Sequence, residues 1–127
     1  RIHVTTKDGT FVKEIIFSPP GTNRGDTSDR GAAGGVAFSP DAEQRYLYIC
    51  DIKNNTIWFL NREDGEFLGR LSSMGENGGQ FFGLHMIATD SRGYIYTGEV
   101  FAGERVQRFV PSDSPRGELL DQLSRLE

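Results

Sequence analysis

Gly34-Gly35-Val36-Ala37-Phe38-Ser39-Pro40-Asp41, followed by Tyr46-Leu47-Tyr48-Ile49-Cys50-Asp51 and then Thr56-Ile57-Trp58-Phe59-Leu60, recurs in outline later in the chain. The second copy is Gly83-Leu84-His85-Met86-Ile87-Ala88-Thr89-Asp90, then Tyr94-Ile95-Tyr96-Thr97-Gly98-Glu99, then Arg105-Val106-Gln107-Arg108-Phe109. From Gly34 to Gly83 the offset is 49 residues, with a slip of one residue in the second segment. Such self-similarity decides architecture before any local propensity does. A shorter echo lies beside it: Lys7-Asp8-Gly9-Thr10-Phe11-Val12-Lys13-Glu14-Ile15 returns as Glu63-Asp64-Gly65-Glu66-Phe67-Leu68-Gly69-Arg70-Leu71, offset by 56. In each copy Asp-Gly supplies the positive φ that a tight hairpin demands, and an alternating strand follows.

Each unit therefore holds four short strands: an apolar one ending in Asp, a Tyr-rich one ending in an acid, a third, and a fourth reached through Asp-Gly. Four antiparallel strands in a repeat of roughly 40 to 50 residues describe a propeller blade. The expected fold is all-β, an incomplete propeller of antiparallel four-stranded blades with a short helical tail. Residues 1–110 form the partial propeller: 1–17 the end of a blade, 34–72 a full blade and 83–110 three strands of another. The stretch from Ser18 to Ala33, rich in Gly, Pro, Ser, Thr and Asp, is expected to be a surface loop. Its Arg24-Gly25-Asp26 triplet is too short to signify a site. Over residues 111–127, Leu119, Leu120, Leu123 and Leu126 fall at helical spacing after Ser114, which predicts a capped helix.

Composition narrows the function classes. The chain has 127 residues, of which 16 are glycine, about twice ordinary usage and in keeping with many tight turns. Fourteen basic against eighteen acidic residues leave a net charge of −4, so no basic field is present to hold nucleic acid phosphates. No stretch approaches the roughly 20 apolar residues needed to cross a bilayer as a helix. Cys50 is the lone cysteine, which excludes an intrachain disulfide or a Cys-Cys metal knuckle. The templates for a nucleophile elbow, a phosphate-binding loop and His-Glu-x-x-His are all empty.

The segments Val36–Asp41 with Tyr46-Leu47-Tyr48, Gly79-Gln80-Phe81 running into His85–Val100, and Arg105–Phe109 resemble the NHL-repeat β-propellers, usually six-bladed. They are most similar to the bacterial secreted branch that resembles the peptidyl-hydroxyglycine amidating lyase. The resemblance implies export to the periplasm or beyond, and a first strand in each blade that lines a central channel. In the lyase, metal-binding histidines sit on innermost strands within a Pro-His motif. His85 matches that placement, with Leu84 replacing the proline and Val36 standing at the equivalent position one blade earlier. The resemblance thus implies zinc or calcium in a full-length propeller, with His85 as one metal ligand. One histidine is short of the three protein ligands that a catalytic zinc takes.

Other candidates have plainer expected roles. Asp51 and Glu99 end the second strands; each acid can pair with a base such as Arg105 or face the channel mouth and bind a cation. Asp41 and Asp90 are expected to accept backbone N–H bonds in their turns. Trp58, Tyr46, Tyr48, Tyr94 and Tyr96 are expected to pack between blades, His3 to be solvated, and Cys50 to be an inert buried thiol.

A six-bladed ring takes roughly 240 to 270 residues, about twice this length. The chain is expected either to be a fragment of a longer propeller or to self-associate, stopping one strand short of finishing its last blade. The leading reading is a non-catalytic binding or scaffold module that meets a protein, peptide or glycan through channel-mouth loops. The alternative is part of a metal-dependent lyase or hydrolase using His85, so the chain alone is not assigned as an enzyme.

Overall fold

The computed structural model describes residues 1–16 and 33–125. The loop expected from Ser18, with its Arg24-Gly25-Asp26 triplet, lies outside the described residues; Ala33 already belongs to a strand. Nine strands follow in order: β1 (Ile2–Thr5), β2 (Phe11–Ile15), β3 (Ala33–Phe38), β4 (Tyr46–Asp51), β5 (Thr56–Asn61), β6 (Phe67–Leu71), β7 (Leu84–Thr89), β8 (Ile95–Glu99) and β9 (Val106–Phe109), and then helix α1 (Pro115–Ser124). They form three antiparallel meanders, β1-β2, β3-β4-β5-β6 and β7-β8-β9. This is the incomplete β-propeller with a short C-terminal helix that the repeat predicts.

Turn chemistry sets the hairpins. Gly9 and Gly65 adopt φ of 90° and 78°, closing the Asp-Gly turns that lead into β2 and β6. The first turn is tied by Gly9 N–H to the Thr6 carbonyl at 3.0 Å, the other by Gly65 N–H to the Asn61 carbonyl at 2.9 Å. At the tail, Ser114 caps α1 by accepting the Gly117 N–H at 3.0 Å.

Alternation along each strand builds two apolar layers. Ile15, Leu47, Ile49, Trp58 and Leu60, with Ile2 and Val4 against them, fill the space between the first and second sheets. Cys50, Ile57, Phe81 and Leu84 fill the space between the second and third, joined by Tyr48, Phe59, Leu71, Ile87, Ile95 and Phe109. The odd members of β4 thus face one neighbour and the even members the other, as period-two geometry requires. Burial pushes the Cys50 thiol up to about 12, so it is neutral and unreactive while the layer is closed. Tyr46 departs from the expected packing: it is 37% exposed, with the Arg45 guanidinium over its ring at 5.6 Å.

The innermost strands β3 and β7 run side by side, and glycine permits their approach. A Cβ on Gly35 would stand 2.9 Å from the His85 carbonyl oxygen and 3.2 Å from the Ile87 nitrogen, both backbone atoms. One mismatch sits in the second layer. Thr97 occupies the place that Ile49 holds one blade earlier, is 2% exposed, and has a hydroxyl without a hydrogen-bond partner.

Two outcomes follow for stability. Gly35→Ala, which must force β3 from β7, is expected to cost about 1–3 kcal/mol in urea unfolding. Thr97→Val, which keeps the shape and removes the unsatisfied hydroxyl, is expected to raise stability by about 1 kcal/mol; an unchanged or lowered midpoint would contradict the burial of that group.

Candidate functional site

Among the described residues, the densest polar constellation lies at one end of the second and third sheets, where second strands turn into third strands. The connector that carries the chain from β6 to β7, residues 72–83, crosses the same end. Glu99, at the close of β8, organises it. Its side chain is enclosed and accepts from Arg105 Nε at 2.7 Å, from Gln107 Nε2 at 2.8 Å and from the Phe82 N–H at 2.7 Å. Burial pushes the Glu99 carboxyl up, but Arg105, the Phe82 amide and Gln107 more than offset this and hold it below the usual carboxylate range.

The two donors on Glu99 reach onward to the connector. Arg105 also donates to the carbonyls of Glu76 and Gln80, the latter at 2.6 Å. Gln107 donates to the Gln80 carbonyl at 2.7 Å and accepts the Gly79 N–H at 2.8 Å. From the other side, Asn55 stands at a φ of 50° and its Oδ1 accepts the N–H of Gly83 at 2.6 Å and of Leu84 at 3.2 Å. These polar contacts fix a segment whose own residues are mainly small. Sequence reasoning placed Glu99 beside Arg105 and missed Asn55, Gln107 and the connector. The signal for Asn55 was a non-glycine residue well suited to positive φ just before a β-rich run.

Asp51 takes the equivalent place one blade earlier. It is 0% exposed, and its Oδ2 accepts from Trp58 Nε1 at 2.9 Å and Asn54 Nδ2 at 2.6 Å, while Oδ1 accepts the N–H of Lys53 and Asn54. Trp58 corresponds in register to Gln107, so both blades use the acid that closes one strand to hold a side-chain N–H of the next. Neither carboxylate opens onto a mouth: both are turned into the fold and occupied by donors. The Glu99 pairing with Arg105 is present, and a cation site at Asp51 or Glu99 has no free lone-pair geometry facing solvent.

His85 lies exposed on β7, and no group of three or more His, Cys, Asp or Glu able to hold a metal occurs among the described residues. These residues do not fit a catalytic zinc. His3 is half-exposed and pairs with Glu14 at 2.7 Å across β1 and β2. At the opposite end of the sheets Asp41 accepts the Arg45 N–H, and Asp90 accepts the N–H of Arg92 and Tyr94 and the guanidinium of Arg92 at 2.8 Å. Burial raises the Asp90 carboxyl, yet these donors and the Tyr96 hydroxyl hold it at about 2. Between the first two sheets a cleft of about 760 Å³ opens, floored by Ile2, Val36 and Leu47 and rimmed by Lys13, Arg45 and Arg62.

Among solved structures, the chain is similar to the β-propeller domain of Myceliophteria thermophila Cps50 (Swd1), at 18% identity and a TM-score of 0.47, over 68% of this chain and 25% of that one. The chain spans about a quarter of that domain. No protein-family model and no curated protein matches it. The architecture rests on the three meanders themselves, which make this part of a β-propeller.

The depressed carboxyls of Glu99 and Asp90 give the same sign of pH dependence. Their stabilisation is complete above the unfolded carboxyl value near 4 and is lost as the pH falls through the lower folded value. Acid unfolding is therefore expected between about pH 4 and pH 2, and Asp90→Asn should flatten the slope there. Glu99→Ala, which strands Arg105 and the Phe82 amide, is expected to cost on the order of 3 kcal/mol. Slowed amide exchange at Gly79, Phe82 and Gly83 should be lost in that variant first.

Proposed function

We propose that these sheets belong to a six-bladed, NHL-type wheel that acts as a non-catalytic binding module, meeting a protein, peptide or glycan through the loops at the Glu99 end. What supports the reading is a rigid connector that nonetheless displays apolar side chains. Met74 on the connector is 58% exposed, and Phe101 in the β8–β9 turn is 72% exposed. Phe101 also has a φ of 56°, a conformation that a bulky residue adopts only when its surroundings impose it. Its ring lies against the Gly83 position, above the clamp that holds the connector. Because the loop is already ordered, a ligand meeting it would pay little ordering entropy. The acidic balance of the chain and the absence of a basic stripe leave nucleic acid out of the proposed ligand classes.

The test is a peptide and glycan array probed with the intact chain, repeated with Met74→Asp/Phe101→Asp. Asp tolerates the left-handed region better than Phe, so the double variant should keep its melting temperature. At least tenfold weaker binding of the same array members is expected. A ligand held equally well by the variant would overturn the assignment of this end. Stoichiometric zinc bound by the wild type and lost in His85→Ala would instead favour the lyase alternative.

A further inference from the structure

The connector that the Glu99 cluster holds turns on the sequence Asn77-Gly78-Gly79-Gln80. The Gln80 N–H donates to the Asn77 carbonyl at 3.0 Å and Gly79 stands at a φ of 83°, so these four residues make a tight turn with Gly79 at its left-handed corner. The turn is tied to its surroundings on both sides. Ser72 Oγ donates to the Gly79 carbonyl, Gln107 Oε1 accepts the Gly79 N–H at 2.8 Å, and Arg105 donates to the Glu76 carbonyl.

Asparagine is a chemically labile residue, and most of all before glycine, because its amide carbon and the next backbone nitrogen are one ring closure apart. A fold suppresses that closure by hydrogen-bonding the side-chain amide, by engaging the next N–H, or by crowding the nitrogen with a side chain. Elsewhere in the chain these restraints are in place. Asn54 Nδ2 donates to Asp51 at 2.6 Å, Asn55 Oδ1 accepts the N–H of Gly83 and Leu84, and Asn61 Oδ1 accepts the Glu63 N–H at 2.9 Å. They are followed by Asn55, Thr56 and Arg62, each of which carries a Cβ beside the nitrogen. None of these restraints acts at Asn77. It is exposed, and among the described residues its side-chain amide has no hydrogen-bond partner; its backbone N–H alone is engaged, by Gln80 Oε1 at 3.3 Å. The Gly78 N–H is likewise without an acceptor among the described residues, and a Cβ placed on Gly78 would meet nothing within 4 Å.

We infer that Asn77-Gly78 is a self-modification site, at which the folded connector is converted without an enzyme from asparagine to aspartate and isoaspartate. The Gly78 N–H gives its proton to solvent base and its nitrogen bonds to Asn77 Cγ. The Cγ–Nδ2 bond then breaks, and the amide nitrogen leaves as ammonia with a proton returned from solvent. Water opens the resulting succinimide. Attack at Cγ leaves aspartate; attack at the main-chain carbonyl carbon leaves isoaspartate, in which the chain runs on through Cβ and Cγ. Overall, one water is consumed and one ammonia released. Isoaspartate lengthens the main chain by one carbon inside the turn and turns the carbonyl that accepts from Gln80 into a free carboxylate. The turn then loses the geometry that sets Gly79 against Gln107, and the connector is released from that end of the clamp. The site stands whether or not the Met74 and Phe101 end binds a ligand.

The test ages the full chain at mildly alkaline pH, well below its melting temperature, and maps the tryptic peptide of residues 71–92 by mass spectrometry against the unaged sample. Conversion at Asn77 is expected within about tenfold of its rate in a synthetic peptide of residues 73–82, since an exposed loop opens at little cost. Asn54, Asn55 and Asn61 should stay intact over the same time. Isoaspartate, tagged with a methyl group from S-adenosylmethionine by an isoaspartyl methyltransferase, should exceed aspartate. Gly78→Ala, for which the turn has room, should slow conversion markedly. An intact Asn77 after the peptide has fully converted would overturn the site, and so would an undiminished rate in Gly78→Ala. Equal loss at Asn54, Asn55 and Asn61 would also overturn it, since the reaction would then belong to unfolded chain. The aged protein should exchange its Gly79 and Gln80 amides faster than Asn77→Asp, which carries the charge without the added carbon. Equal exchange in the two would overturn the release of the turn.

Discussion

Glu99 places a carboxylate inside the protein at the point where the chain leaves the second sheet and starts the third. Apart from Phe81 the connector has little apolar surface to hold its course, and its backbone groups need partners wherever they turn away from water. Glu99 supplies them directly to Phe82 and indirectly through Arg105 and Gln107, whose outer ends take the carbonyls of Glu76 and Gln80. The connector then delivers Phe81 and Leu84, both 0% exposed, into the layer between the second and third sheets. The relative placement of two sheets depends on that delivery, since each sheet has apolar groups on a face that it cannot cover alone.

The arrangement trades desolvation for direction. A buried carboxylate is costly unless its lone pairs are filled, and here three donors fill them, two of which reach further. Asp51 solves the same problem one blade earlier with a different donor, the Trp58 indole, whose ring also packs in the first apolar layer. The repeat thus conserves an interaction, acid to side-chain N–H, while changing the residue that provides it. Thr97 shows the opposite case, in which a hydroxyl replaces the Ile49 side chain without any partner being supplied.

The architecture was legible because its causes are local. Asp-Gly dictates the turns before β2 and β6, and alternation in Tyr46–Asp51 and Tyr94–Glu99 dictates which side chains face which neighbour. The pairing of Glu99 with Arg105 was legible for the same reason, since the two flank one tight turn. The contacts that Asn55 and Gln107 make with the connector were not, because they join residues 25 or more apart along the chain. Tyr46 misled for a related reason: its place in the Tyr-x-Tyr pattern suggested burial, but the pattern does not say which strand end meets solvent. Equally, His85 carried a motif, while among the described residues the ligands that would give the motif meaning are not brought beside it.

The thiol of Cys50 lies wholly enclosed between the second and third sheets. A reagent can reach that sulfur only when the two sheets part, so its alkylation counts separations of the wheel's sectors directly. The molecule carries its own clock for breathing between neighbouring blades, set in the one layer that the Glu99 connector closes.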